Sequence, residues 1–144
     1  MIQFSINQPE RRKQYVSRIG AYAIIKSADG LIAIVKTVKG YFLPGGGVEG
    51  NESLEACLKR ECLEEIGAQI SVLDNFACGN YYFYSTTLNT DMESIGNFFI
   101  CKIDKFLETK TDPDHELIWL PTEKAAQVLY LENQKKAVSL FNNF

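Results

Sequence analysis

The chain has no long apolar run. None of its 144 residues belongs to a segment approaching the roughly 18 to 20 consecutive apolar residues of a membrane-spanning helix. The opening MIQFSINQPERRKQ likewise lacks the apolar stretch of a secretory signal, so a cytoplasmic location and no membrane partner are expected. Basic charge is not in excess either. Fifteen Lys and Arg face 18 Asp and Glu, a net charge of −3, which removes the electrostatic basis for holding nucleic acid by its phosphates. The four cysteines, Cys57, Cys62, Cys78 and Cys101, include no CxxC pair, so neither zinc-ligand spacing nor a disulfide framework is present and free thiols are expected. Repeats, low-complexity tracts and Pro/Gly/Ser-rich linkers are missing too, and residues 1–144 read as one domain.

What is there suffices for a core, with 46% apolar and 12% aromatic residues. Ser17 to Lys26 is strand-like, Asp29-Gly30 carries the chemistry of a tight turn, and LIAIVKTV returns as a second strand, together predicting a hairpin. A glycine-rich loop, Leu43-Pro44-Gly45-Gly46-Gly47, precedes a helix predicted from about Glu52 to Ile66 with Gly67 as its C-cap. Ile70 to Ser85 and Ile95 to Ile103 are rich in aromatic and β-branched residues and predict two longer strands joined by LNTDMES. A short strand around Ile118 to Leu120 follows. Thr122 is then a candidate N-cap, and Ala125, Val128, Leu129, Val138 and Phe141 continue at helical spacing. A mixed sheet flanked by helices, α+β in class, is the simplest assembly.

The chemistry concentrates between Gly46 and Ala68, GGVEGNESLEACLKRECLEEIGA. Glu61, Glu64 and Glu65 fall at i, i+3 and i+4 and share one helix face. Three glutamates alone usually make a solvated acidic face. Like charges this close repel, however, and a divalent cation among them is the natural remedy; dense carboxylate oxygens suit Mg²⁺ or Mn²⁺.

The surroundings decide between these readings. Gly46, Glu52, Arg60-Glu61, Glu64-Glu65 and Gly67 match the Nudix box: Gly, five residues, Glu, seven residues, Arg-Glu, an aliphatic, any residue, Glu-Glu, any residue, Gly, an aliphatic. Seven fixed matches at ordinary residue frequencies arise by accident at a given start on the order of once in 10⁸. Cys62 and Ala68 depart mildly from the two aliphatic positions, and Leu54, Leu58, Cys62 and Ile66 still form an apolar stripe. The chain thus resembles the Nudix hydrolases, and the segments around the box extend the likeness over most of the domain.

That resemblance implies an α/β/α sandwich and gives the residues roles. Glu61, Glu64 and Glu65 resemble the family's cation ligands, with the Gly46 carbonyl a further candidate oxygen. Arg60 is by geometry simply a helix cation; in the family the matching arginine pairs with the carboxylate matching Glu52. The general base is assigned to Glu64 or to Glu116, a loop residue whose other reading is an exposed turn. Arg18 and Lys36 are candidate phosphate contacts or plain surface charge. Gly45 and Gly46 bring backbone close to a phosphate or make an ordinary turn. Tyr84 falls at a spacing resembling the diadenosine polyphosphate branch, although strand aromatics usually serve packing. His115 is read as a surface or turn residue, and Trp119 as packing.

The implied activity is metal-dependent hydrolysis of a pyrophosphate bond in a nucleoside diphosphate-linked small molecule. A MutT-type nucleoside triphosphate pyrophosphohydrolase is slightly preferred over a dinucleoside polyphosphate hydrolase. A Nudix module that binds a nucleotide without cutting it is the rival from another class; such modules usually lose box carboxylates, and this chain keeps all of them.

Overall fold

Residues 20–25 of the first long strand, GAYAII, are buried almost without interruption, as expected of a strand covered on both faces. Ala21, Ala23 and Ile25 join one core cluster and Ile24 joins another. The structure, a computed structural model, describes residues 1–107 and 112–143. Its elements run β1 (Ile2–Ser5), β2 (Val16–Ile25), β3 (Leu31–Thr37), β4 (Gly40–Phe42), β5 (Gly45–Gly47), α1 (Leu54–Ile66), β6 (Ala68–Ser85), β7 (Thr90–Phe106), β8 (Glu116–Pro121), α2 (Thr122–Val128) and α3 (Glu132–Phe141). One sheet has the order β1-β6-β7-β2-β5 and the other β4-β3-β8. Cys57, Leu58, Cys62 and Ile66 of α1 cover one face; Ala125 of α2 and Ala137 and Val138 of α3 belong to the cluster on the other. The expected mixed sheet between helices is what forms. No helix among the described residues is long and apolar enough to cross a membrane.

The predicted β2–β3 hairpin is only partly realised. Its turn is present, with Gly30 at φ 84° and its N–H donating to the Ser27 carbonyl at 2.9 Å. The strands, however, share a single bridge, Lys26 to Ile32, and then part into different sheets. Both edges of β2 are already taken, one by β7 in parallel and the other by antiparallel β5, so β3 pairs with β4 and β8 instead.

Three other expectations need correction. β7 begins at Thr90 rather than near Ile95, so the β6–β7 connection tightens to residues 86–89, where Asn89 takes φ 53° and Ser85 Oγ accepts from the Leu88 N–H. The helical spacing after Thr122 is broken between α2 and α3, where the Tyr130 N–H donates to the Tyr41 carbonyl at 2.8 Å; Pro121, not Thr122, occupies the cap position of α2. The first helix keeps its expected end at Gly67, which is left-handed at φ 64°. It starts at Leu54 behind an N-cap, Ser53, whose side chain accepts from the Ala56 N–H at 3.1 Å. Glu52 therefore sits just before the helix.

Candidate active site

The site is built where β5 runs beside α1. Gly45 adopts φ 141°, and a side chain there would strike the β2 backbone at Ala21 and Tyr22. Its N–H donates to Glu65 Oε1 at 2.8 Å. At Gly46 the glycine serves a different neighbour: an added Cβ would lie 2.6 Å from Glu61 Cδ, so the Glu61 carboxylate rests directly against the strand. Cys57 ties helix to strand once more, its thiol donating to the Gly46 carbonyl across 3.4 Å. Burial pushes that thiol up to about 11, which keeps its proton in place.

Arg60 organises the acidic face. Its Nε and Nη2 meet Glu52 Oε2 and Oε1 at 2.7 and 2.8 Å, a bidentate pair joining helix and loop. Nη1 reaches Glu61 Oε1 at 2.9 Å and Glu64 Oε2 at 3.3 Å, while Nη2 also donates to the Gly47 carbonyl at 3.3 Å. Of the two readings of Arg60, the fork onto Glu52 is the one the geometry shows. The Arg60 guanidinium holds Glu52 down to about 2. Replacing Arg60 with alanine should lower the melting temperature by several degrees and reduce turnover, because Glu52 loses its fork and Glu61 loses its nearest cation. Unchanged melting in a calorimetric scan would remove the fork from any stabilising role.

The remaining carboxylates are under electrostatic load. Burial raises Glu61 against the opposing pull of Arg60. Glu65 is only 8% exposed. Burial first, then Glu61, Asp112 and Glu64, push it up to about 8 despite the Gly45 N–H. Such groups fit a hard divalent cation: three carboxylates and a carbonyl oxygen on adjoining elements, with repulsion that a cation would relieve. Among the described residues no group of three or more histidine, cysteine, aspartate or glutamate side chains is arranged to hold a metal ion as it stands. Arg60 supplies the positive charge between Glu61 and Glu64.

Beside this junction opens a cavity of about 440 Å³. Arg18, Gly45, Gly46 and Glu65 line it, as do Lys39 and the apolar Phe42, Leu43, Phe83 and Met92. Arg18 also crosses Gly47 so closely that an added Cβ there would lie 2.5 Å from its Nε. Glu61 and Glu64 adjoin the cavity through Glu65 and Gly46 rather than lining it.

Three sequence candidates lie elsewhere. Lys36 and Glu116 are exposed register partners on β3 and β8 and do not line the cavity. Strand alternation puts them with Ile34 and Ile118, on the face away from α1, since Val35, Leu117 and Trp119 take the α1 side. Tyr84 is 52% exposed, its hydroxyl bonded to Asn89 in the β6–β7 turn, and Phe83 faces the cavity instead. Trp119 packs against the α1 core as expected.

Other residues stand at the cavity instead. Lys39 lines the cavity where Lys36 does not. His115, read from sequence as a surface or turn residue, stands with Nε2 3.6 Å from Glu65 Oε2 and Nδ1 3.0 Å from Asp112 Oδ1. Asp112 also reaches α1, donating its N–H to the Glu64 carbonyl at 3.1 Å. The Asp-Pro-Asp-His turn before β8 was a visible signal for this group. Gln134, which also lines the cavity, carried none.

A glycine strand that presents its backbone to an acidic helix, set into a sheet between helices, is the architecture of the Nudix hydrolases. The NUDIX domain family model matches residues 16–141, and the chain belongs to that family. Among solved structures it is similar to a Nudix hydrolase from Nitrosomonas europaea at a TM-score of 0.71 and 17% identity, covering 89% of this chain and 90% of that one. A MutT protein from Methanosarcina mazei Go1 gives 0.71 at 20% identity over 90% and 96%. The E. coli dihydroneopterin triphosphate pyrophosphohydrolase gives 0.69 at 16% over 88% and 97%. At these identities the likeness is one of fold. No curated protein sequence matches.

Proposed function

We propose that this Nudix hydrolase cuts a pyrophosphate bond in a nucleoside diphosphate-linked small molecule with Mg²⁺ or Mn²⁺, in the cytoplasm, acting most like a MutT-type nucleoside triphosphate pyrophosphohydrolase. One observation carries the reading: the box carboxylates are gathered by Arg60 and the glycine strand at the edge of a cavity that Arg18 and Lys39 also line. When bound, such a cation would neutralise phosphoryl oxygens and acidify a water. Glu61, Glu64, Glu65 and the Gly46 carbonyl are the residues that would hold it.

The chain's own groups account for the rest. Arg18 and Lys39 supply positive charge for phosphate oxygens within an otherwise acidic protein. Arg60 positions Glu61 and Glu64 and is itself held by Glu52. Glu64, with a side chain 44% exposed, stands as the group that accepts a proton from the attacking water. Glu116 loses its claim to that role because it lies on the other face. A dinucleoside polyphosphate substrate is the second reading, now without Tyr84 in the cavity to support it.

The test is a panel of nucleoside triphosphates, oxidised nucleotides, dinucleoside polyphosphates and nucleotide sugars, assayed with Mg²⁺ for released phosphate or pyrophosphate. Release of pyrophosphate and a nucleoside monophosphate from triphosphates is expected. Tight binding across the panel without any turnover would return the chain to the class of nucleotide-binding modules.

A further inference from the structure

A row of glycines crosses the five-stranded sheet at a single rung. Gly79 of β6 is the register partner of Gly96 of β7, Gly96 of Gly20 in β2, and Gly20 of Gly47 in β5. Each leaves open a space that a neighbour fills: Phe4 lies over Gly79, Phe98 over Gly96, Tyr22 over Gly20 and Arg18 over Gly47. The three rings lie side by side along the sheet, with centroids 6.2 Å apart for Phe4 and Phe98 and 5.7 Å apart for Phe98 and Tyr22. Two of the three are phenylalanine, so packing alone does not call for an oxygen on the third.

That oxygen falls at the cavity end of the row. A Cβ on Gly20 would lie 2.7 Å from the Tyr22 hydroxyl and 3.0 Å from the Gly46 carbonyl oxygen, so hydroxyl and carbonyl are close neighbours. Arg18 crosses the next glycine of the same rung, and Tyr22, Arg18, Gly46 and Glu65 line the cavity together. Among the described residues the hydroxyl has no hydrogen-bond partner, and unlike Gln134 Nε2 it is not sealed from the cavity. Burial, opposed by Arg18 and reinforced by Glu65, pushes the phenol up to about 12; it keeps its proton and is a donor at neutral pH.

We propose that Tyr22 is a catalytic residue, its hydroxyl donating a hydrogen bond to a phosphoryl oxygen of the substrate beside Arg18. This rests on the pyrophosphohydrolase reading above and adds a donor to it. The proton stays on the phenol throughout. Ring packing over Gly20 fixes the hydroxyl before any substrate arrives, so it need not reorganise, and its bond strengthens as negative charge gathers on the phosphoryl oxygen.

Tyr22→Phe removes the oxygen and keeps the ring. The variant and the native protein are compared in kcat and KM for the nucleoside triphosphate cleaved fastest in the panel above, in calorimetric binding of inorganic pyrophosphate, and in melting temperature. Turnover should fall about 10²-fold, the loss expected for one donor to a developing charge. KM and the pyrophosphate dissociation constant should rise by a smaller factor, about three- to fivefold. Melting should stay within about 2 °C, since the hydroxyl has no protein partner to lose. A role confined to packing would move neither turnover nor pyrophosphate affinity.

Native-like kcat in Tyr22→Phe would overturn the assignment and leave the hydrolase reading intact. If the native protein turns over no substrate, that reading fails, and binding decides on Tyr22: weaker pyrophosphate binding in the variant supports the phosphate contact, while equal affinity in both proteins, or binding in neither, overturns it.

Discussion

Glu64→Gln should lower cation-dependent turnover by about 10²- to 10⁴-fold, the range expected when a general base or its equivalent charge is removed. The fold should survive. Glutamine keeps the volume of the side chain, which is 44% exposed. Its loss of charge removes repulsion with Glu61 and Glu65 while weakening only the longer, 3.3 Å contact with Arg60. Melting within about 2 °C of the native protein is therefore the expected companion result. Titrating Mn²⁺ into the variant separates the two roles of Glu64. Lost turnover with retained Mn²⁺ affinity identifies a proton acceptor, and loss of both identifies a ligand. Full turnover in the variant would strike Glu64 from the machinery.

How much of this site could be read beforehand follows the range of the forces involved. The helix, its C-cap and its acidic face are set by residues within a few positions of one another, and all appear where the spacing of Glu61, Glu64, Glu65 and Gly67 places them. The Arg60–Glu52 fork is nearly as local and was legible through the box resemblance. Strand partnership is another matter. The turn at Asp29-Gly30 is a local event, yet β2 and β3 separate because β7 and β5 compete for the edges of β2, and that competition involves distant parts of the chain. The misplacement of Lys36 and Glu116 is a consequence of the same kind. Lys36 is on the expected strand, whereas Glu116, read as a loop residue, opens β8; a strand's two faces differ by one residue, and the face is decided by which core it meets. Gln134 was beyond reach, since its bond to the Leu43 N–H joins residues 91 positions apart and exists only in the assembled fold.

Glu65 makes the metal-free protein sensitive to pH in a direction opposite to that of most paired carboxylates. Its folded-state value, about 8, lies above the ordinary 4.5, so between these limits the native state keeps a proton that the unfolded chain has released. The native state binds more protons there, and stability must fall as pH rises, by at most ~1.4 kcal/mol per pH unit from this one group. Glu52, held near 2 by Arg60, contributes in the opposite sense and only in acid: its stabilisation is in place above about pH 4.5 and is lost as pH falls towards 2. The two windows do not overlap. The metal-free protein should therefore melt at a lower temperature at pH 8 than at pH 5.5, and Glu65→Gln should flatten that decline, since a neutral amide can still accept from the Gly45 N–H without a charge to desolvate. Added Mg²⁺ should raise the melting temperature strongly at pH 8 and little at pH 5.5, because only an ionised cluster attracts it. A melting temperature in EDTA that holds steady or climbs across this range would mean that Glu65 is not the strained acid its burial makes it, and the electrostatic case for a cation at α1 would weaken with it.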